Sequence, residues 1–179
     1  MKDAELLYEW KNDKATIENS ITKRGVTMEE HLNWLQGVIR NPNRQLFILD
    51  VAGVSVGQLR LDLEVMSTNE SEKTQENKSD ISEPMEKRGI TAEVSYGLGA
   101  EYRGKGLGRI LLEEADTLAR LFHLAELTAE VLPHNVASQK LFQKLGYREE
   151  KKETLYVYRK KFCNASEPGD GVLKIDADK

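Results

Sequence analysis

The sequence predicts an α/β domain built around a sheet, and three observations carry that expectation. Between Ile90 and Leu98 the apolar residues Ile90, Ala92, Val94, Tyr96 and Leu98 alternate with Thr91, Glu93 and Ser95, the period of a strand with one covered face. A glycine-rich stretch follows at once, and behind it Leu107, Ile110, Leu111, Ala115, Leu118 and Phe122 recur at helical spacing. Leu127 to Leu132 then reads as a further strand, so strand, glycine turn, helix and strand follow one another. The 179 residues suffice for one ordinary domain.

Ahead of that unit, Leu6, Leu7 and Trp10 share one face of a short helix over Ala4 to Trp10, which gives way at Asn12-Asp13. Thr27 opens a second helix. Glu30 stands three residues later, the capping-box spacing, and Leu32, Leu35, Val38 and Ile39 continue the apolar face until Asn41-Pro42. Leu46 to Leu49 and Val54 to Val56 are β-rich runs joined across Ala52-Gly53, a hairpin. In its second strand the apolar residues move from even positions (Val54, Val56) to odd ones (Leu59, Leu61, Leu63, Val65), which predicts a bulge at Gly57. Residues 66–90 are rich in Ser, Thr, Asn, Glu and Lys, a composition that predicts a disordered insertion. Past Leu132, Pro133-His134-Asn135 leads into a helix carrying Ala137, Leu141 and Leu145 that ends at Gly146. A final strand is expected around Thr154 to Arg159, and a polar tail from Cys163.

Charge and composition exclude several classes of function. Lys and Arg number 26 against 30 Asp and Glu, a formal charge of −4, so no global basic field exists to hold nucleic acid. Cys163 is the single cysteine and cannot form an internal disulfide, and His31, His123 and His134 lack metal-ligand spacing, so no metal is expected. The N-terminus has no apolar signal core and no apolar run approaches the roughly 18 residues of a membrane span. The expectation is a cytoplasmic protein with no membrane partner.

The informative segment runs from Gly97 to Arg109, between a strand and a helix. Glycines there let backbone N–H groups point into one concavity, and a helix N-terminus adds partial positive charge, which together make an anion site. Arg103, Lys105 and Arg109 reinforce that sign; the plainer alternative is a tight turn with solvated basic side chains. Gly99-x-x-x-x-Gly104-Lys105 begins like a Walker loop, but Gly106 stands where Ser or Thr must hold magnesium. From Gly104 the spacing is G-x-G-x-G, not the G-x-G-x-x-G of a dinucleotide fold.

Arg103-Gly104-Lys105-Gly106-Leu107-Gly108 does read Arg-x-x-Gly-x-Gly, and Asn135-Val136-Ala137-Ser138 is followed by Leu141-Phe142-Gln143-Lys144-Leu145-Gly146-Tyr147. In this order and on these element types the two motifs resemble those of the GNAT family of N-acetyltransferases, over roughly Glu5 to Phe162. The segments Leu7 to Asp13 and Glu29 to Trp34 are similar to the ribosomal-protein and amino-sugar branches. The resemblance implies a three-layer α/β/α domain over residues 1–162, whose mixed, mostly antiparallel sheet is splayed at an acetyl-CoA site. It further implies acetyl-CoA as cosubstrate and an amine acceptor: a small molecule, a nucleotide-linked amino sugar or a protein N-terminus. The assembly would be a monomer or homodimer.

The same resemblance implies residue roles. The cofactor pyrophosphate would lie on Arg103, Gly104, Lys105, Gly106, Leu107, Gly108 and Arg109, with the Leu98 N–H polarising the acetyl carbonyl and Asn135 orienting the pantetheine arm. Direct attack by an amine needs a proton acceptor, an oxyanion donor and an acid for the thiolate. Ser138 is implied as the acid and Glu93, on the polar face of its strand, as the base, with Glu130 its rival. At Phe142 the chain departs from the many relatives that carry a tyrosine acid there, which leaves a catalytically silent CoA-binding module as the alternative. His31 shares a helix with Trp34 in the region that would cover the acceptor. Family members also begin with a strand, whereas only Met1 to Glu5 precede the first helix here; Val172 to Ile175 alternates and is the candidate substitute, in one chain or across a dimer.

Overall fold

The computed structural model describes residues 3–65 and 89–162. The chain forms α1 (Ala4–Asn12), α2 (Lys14–Glu18), α3 (Met28–Arg40), the hairpin β1 (Arg44–Val51) and β2 (Val54–Val65), and β3 (Ile90–Leu98). After the glycine turn come α4 (Leu107–Leu121), β4 (Leu124–Val131), α5 (Val136–Lys144), β5 (Arg148–Lys151) and β6 (Tyr156–Lys161). The described strands make one sheet in the order β1-β2-β3-β4-β6-β5.

Neighbouring strands are antiparallel except β3 and β4, which run parallel. That parallel ladder joins only Ile90–Glu93 to Leu124–Thr128, while β3 continues to Leu98 and β4 to Val131. The sheet is therefore splayed in its middle, as expected. On one face Leu111, Leu112 and Ala115 of α4 meet Leu61, Val94 and Leu127 of the sheet. On the other, Leu7 and Trp10 of α1 and Leu35 of α3 close over Leu46 and Ile48 of β1. Period-2 alternation in the hairpin supplies both contacts, sending Leu59 and Leu61 one way and Leu46 and Ile48 the other, and a three-layer α/β/α domain results.

Local chemistry fixes the helices. The Thr27 hydroxyl accepts the Glu30 N–H at 3.2 Å and the Glu30 carboxylate accepts the Thr27 N–H at 2.8 Å, completing the capping box. Gly146 ends α5 with φ 80°, a left-handed conformation that glycine adopts without steric cost. Phe142 of α5 is only 2% exposed, stacked on Tyr158 at 5.2 Å and edge-on to Tyr147 at 5.0 Å. Buried Asp116 of α4 accepts the Tyr147 hydroxyl at 2.9 Å and pairs with Lys160, which also donates to the Leu145 carbonyl. Burial and the adjacent carboxylate push the Tyr147 phenol upward, so it remains a donor.

Several boundaries differ from expectation. Helix α2 is new: it has no apolar period, and Asp13, where the first helix was expected to stop, caps it by accepting the Thr16 N–H at 3.0 Å. Strand β5 is also new, a polar edge strand, and the last strand begins at Tyr156 rather than Thr154. The bulge falls on Val56, since Leu49 pairs with Gly57 and Asp50 with Ser55. Gly57 keeps its place in the ladder because it has no Cβ, which would lie 2.7 Å from the Gly97 carbonyl oxygen. Among the described residues no strand precedes α1, so β1 is a sheet edge. The expectations placed on 66–88 and on 163–179, including a strand at Val172 to Ile175, fall outside the described residues. No helix among the described residues is long and apolar enough to cross a membrane.

Candidate functional site

Where β4 leaves β3, a cavity of about 1310 Å³ enters the domain. One end lies at the glycine turn. Gly104 (φ 73°) and Gly106 (φ 81°) are left-handed, and a Cβ on either would meet no atom within 4 Å, so the concavity is open. Gly106 caps α4 without a side chain, and the Leu107 and Gly108 amides have no intrahelical acceptor, whereas the Arg109 N–H donates to the Gly106 carbonyl at 3.0 Å. Gly108 differs, for a Cβ there would sit 3.3 Å from both Leu141 Cδ2 and Tyr96 Cε2, inside the packing. Gly104, Gly106, Gly108 and Arg109 line the cavity, while Lys105 and Leu107 do not.

The three cations expected at the turn are disposed differently from one another. Arg103 donates to the Leu98 carbonyl at 3.2 Å and to Thr16 Oγ1 at 3.0 Å, and pairs with Asp13 at 2.6 Å. It ties the α1–α2 corner to the turn rather than standing free. Burial pulls the Asp13 carboxyl up, but the Arg103 and Thr16 hydrogen bonds outweigh it and hold the group below the usual carboxylate range. Arg109 makes an exposed i,i+4 pair with Glu113 at 2.8 Å, and Lys105 lies 5.6 Å from the centre of the Tyr102 ring.

In the gap itself, strand alternation decides which backbone groups are free. The Gly99 N–H donates across to the Val56 carbonyl of the β2 side at 3.0 Å. One residue back, Leu98 therefore faces the opposite edge, as does Tyr96, beyond the Glu93–Thr128 rung where the pairing with β4 ends. Facing them is the first turn of α5. Asn135 is its cap, accepting the Ser138 N–H at 3.2 Å, and both residues line the cavity.

The Ser138 Oγ lies 2.9 Å from the Tyr96 Oη. The strand's period sends Tyr96 to the covered face with the core residues, but a period carries no information about where a hydroxyl ends. Burial raises the Tyr96 phenol, with the Ser138 hydrogen bond working against it, and both residues line the cavity. Phe142 does not line it.

Glu93 is a rim residue of this cavity and of a second, of about 490 Å³, bounded by the β5–β6 loop. Burial, then the charges of Glu130 and Asp62, raise its carboxyl above the ordinary value. Asp62 is its direct cross-strand partner, a like-charge pairing that costs stability. Glu130 lines both cavities as well. His31 is buried, its Nε2 2.9 Å from the Ala4 carbonyl oxygen, and burial lowers its pKa. His134 Nε2 lies 2.9 Å from the Glu18 carbonyl oxygen, and His123 borders neither cavity.

Comparison with known proteins agrees with this layout. Residues 1–148 match the acetyltransferase (GNAT) domain. A Bacillus subtilis protein named provisionally as a phosphinothricin acetyltransferase is 44% identical over 59 residues, 33% of this chain and 36% of that one. An uncharacterised N-acetyltransferase of the same organism is 40% identical over 53 residues, 30% of this chain. The chain thus spans about a third of the length of these curated relatives, 36% and 34%. Among solved structures, an acetyltransferase from Thermus thermophilus superposes with TM-score 0.63 at 26% identity, over 90% of this chain and 92% of that one. A ribosomal-protein-alanine N-acetyltransferase from Brucella melitensis has the same fold, with TM-score 0.63 at 22% identity over 90% and 95%. So has a ribosomal α-N-protein acetyltransferase solved in complex with coenzyme A, with TM-score 0.65 at 16% identity over 90% and 89%.

Proposed function

The chain belongs to the GNAT acetyltransferase family, and from that premise we propose that residues 1–162 transfer an acetyl group from acetyl-CoA to the primary amine of an acceptor. The observation that carries this reading is the open gap, flanked on one side by unpaired strand edges and on the other by the Ser138–Tyr96 hydroxyl pair. The glycine turn fits a pyrophosphate: Gly104 and Gly106 leave the concavity clear, and the α4 N-terminus presents amides and partial positive charge to it. Gly108 admits close packing of α5 instead, and Arg103 acts through the α1–α2 corner.

Acetyl-CoA supplies an acyl group activated as a thioester. The remaining work falls to the chain. Glu93, its carboxyl raised, accepts a proton from the acceptor ammonium at neutral pH, so that the amine nitrogen can form its bond to the carbonyl carbon. The Leu98 N–H, on the free edge, donates to the carbonyl oxygen as negative charge develops there. As the carbon–sulfur bond breaks, the Ser138 hydroxyl gives a proton to sulfur and is resupplied by Tyr96, the nitrogen loses its second proton to solvent and Tyr96 regains one from solvent, while Asn135 holds Ser138 in place through its backbone. The Ser138–Tyr96 pair supports a proton donor other than a tyrosine at Phe142 and so favours the transferase over the silent module.

The test is thiol release from acetyl-CoA across amino acids, nucleotide-linked amino sugars, polyamines and peptide N-termini, with CoA affinity measured by titration. Turnover with at least one amine is the expected result. CoA binding without thiol release from any of them would favour the silent module.

A further inference from the structure

The cavity does not end at the gap. Beyond Glu93 it continues beneath α1 and α3, where Lys11, Arg24 and Arg60 line one end of it. Arg60 lies over the Trp34 ring at 5.8 Å and pairs with Asp62 at 2.9 Å, and Arg24 pairs with Glu30 at 3.0 Å. Lys11 donates to the Ser20 hydroxyl at 3.1 Å and has no carboxylate in ion-pair range among the described residues. Burial, then the Arg60 and Arg24 charges, lower its pKa, and of the three cations Lys11 is the one without a carboxylate partner among the described residues. Both neighbouring carboxylates are already committed, Glu30 to the capping box of α3 and Asp62 to Arg60.

Lys11 is thus a half-buried positive charge left unmatched beside two ion-paired arginines, and a group of opposite sign entering the cavity would match it. The proposed acceptor amine sits at Glu93. On the sheet, Arg60 is opposite Ser95, two residues from Glu93 on the same face, a diagonal separation of roughly 7–8 Å. Gln58 borders the same space and its buried Oε1 has no hydrogen-bond partner among the described residues, so an acceptor for an N–H group stands beside the cations. Along β2 this face reads Gln58, Arg60, Asp62, so Arg60 stands between the Gln58 amide oxygen and the Glu93 carboxylate opposite Asp62.

Resting on the acetyl-transfer reading above, we propose that the acceptor is a small amine carrying an oxyanion, bound with its amine at Glu93 and its anion on Lys11, Arg24 and Arg60. Polyamines and neutral amines are disfavoured by the same charges. A carboxylate and a phosphorus oxyanion share the required chemistry, and the experiment separates them.

The CoA-loaded protein is titrated calorimetrically with 4-aminobutanoate, 3-aminopropylphosphonate, 3-aminopropanol and spermidine, and each is then assayed for thiol release from acetyl-CoA. One or both oxyanion-bearing amines should bind at least ~10-fold more tightly than 3-aminopropanol. Which of the two is tighter identifies the oxyanion. In Lys11→Met and in the more exposed Arg24→Met that preference should collapse, with CoA affinity and thermal stability retained. Equal binding of charged and neutral amines, a preference for spermidine, no binding of either anionic amine, or a preference that survives both substitutions would overturn the inference. CoA titration reports separately on the underlying reading: loss there ends acetyl transfer and this inference together, whereas CoA binding with thiol release favouring neutral amines ends this inference alone.

Discussion

Glu93 occupies a position that a purely structural design would avoid, opposite Asp62 and near Glu130. A carboxylate whose folded pKa is raised binds more protons folded than unfolded, so it weakens the fold as pH climbs through that raised value. Glu93→Gln removes the penalty. The variant's melting temperature should match or exceed wild type at neutral pH, with the difference vanishing in acid, while kcat falls about 10²-fold. The wild-type rate should also rise with pH through the raised carboxyl pKa, a limb that the variant lacks. A substitution that lowers both stability and rate would instead mark a structural residue. At the other wall of the gap, Tyr96→Phe keeps the ring packing and deletes the hydroxyl that meets Ser138. Its kcat should drop about tenfold or more with CoA affinity unchanged, and Ser138→Ala should add little further loss because the two hydroxyls act as one donor. At this scale the glycine turn was legible in the letters, since the spacing of Gly104 and Gly106 directly encodes left-handed backbone. The Tyr96–Ser138 pair and the Arg103–Asp13 pair were not, because each joins residues far apart in the chain.

Between elements, the α4 N-terminus shows why two neighbouring glycines are not equivalent. Gly106 needs its positive φ but faces open space, whereas Gly108 has an unexceptional backbone and no room. Gly106→Ala should therefore cost about 1 kcal/mol of stability through backbone strain alone. Gly106→Trp should stay folded while CoA affinity falls at least ~10-fold, because its side chain enters the concavity. Gly108→Trp drives a ring into Leu141 and Tyr96 and should destabilise by about 3 kcal/mol or more, a fold defect rather than a cofactor defect. Circular dichroism melts with parallel CoA titration separate the three. Elements bearing a strong period or a cap were readable: α3 announces itself by Thr27 and Glu30, and β3 by alternation. Helix α2, five residues long, and β5, all polar, carry neither, and are held by a single cap and by edge pairing.

Over the whole molecule, charge is unevenly placed. Residues 66–90 hold 4 Lys/Arg and 6 Asp/Glu and residues 163–179 hold 2 and 4, which accounts for the entire −4. The rest is balanced, so under the inference above acceptor selection would rest on the local cluster around Lys11 and not on a global field. Val65 and Ile90 are ladder partners at the end of β2 and β3, so residues 66–89 connect two points already side by side. Replacing them with a four-residue Gly/Asn turn should preserve CoA affinity and turnover, and the shorter closure should add roughly 1.5 kcal/mol of stability. A thermal melt and the thiol-release assay check both. Sheet order could not be read from residue patterns, because pairing across a parallel seam is non-local; the family resemblance implied only a mixed, mostly antiparallel sheet splayed between two strands.

That seam makes the domain two half-sheets, β1-β2-β3 and β4-β6-β5, joined by a few rungs near Ile90–Glu93. The amides of Tyr96 and Leu98 belong to a regular strand yet lie beyond the last rung with β4, so without a bound molecule they should exchange hydrogen with solvent as loop amides do. Under the proposed reaction, a molecule lying in the gap would lend them acceptors and bridge the two half-sheets, so cosubstrate occupancy should be legible in the exchange rates of two backbone amides.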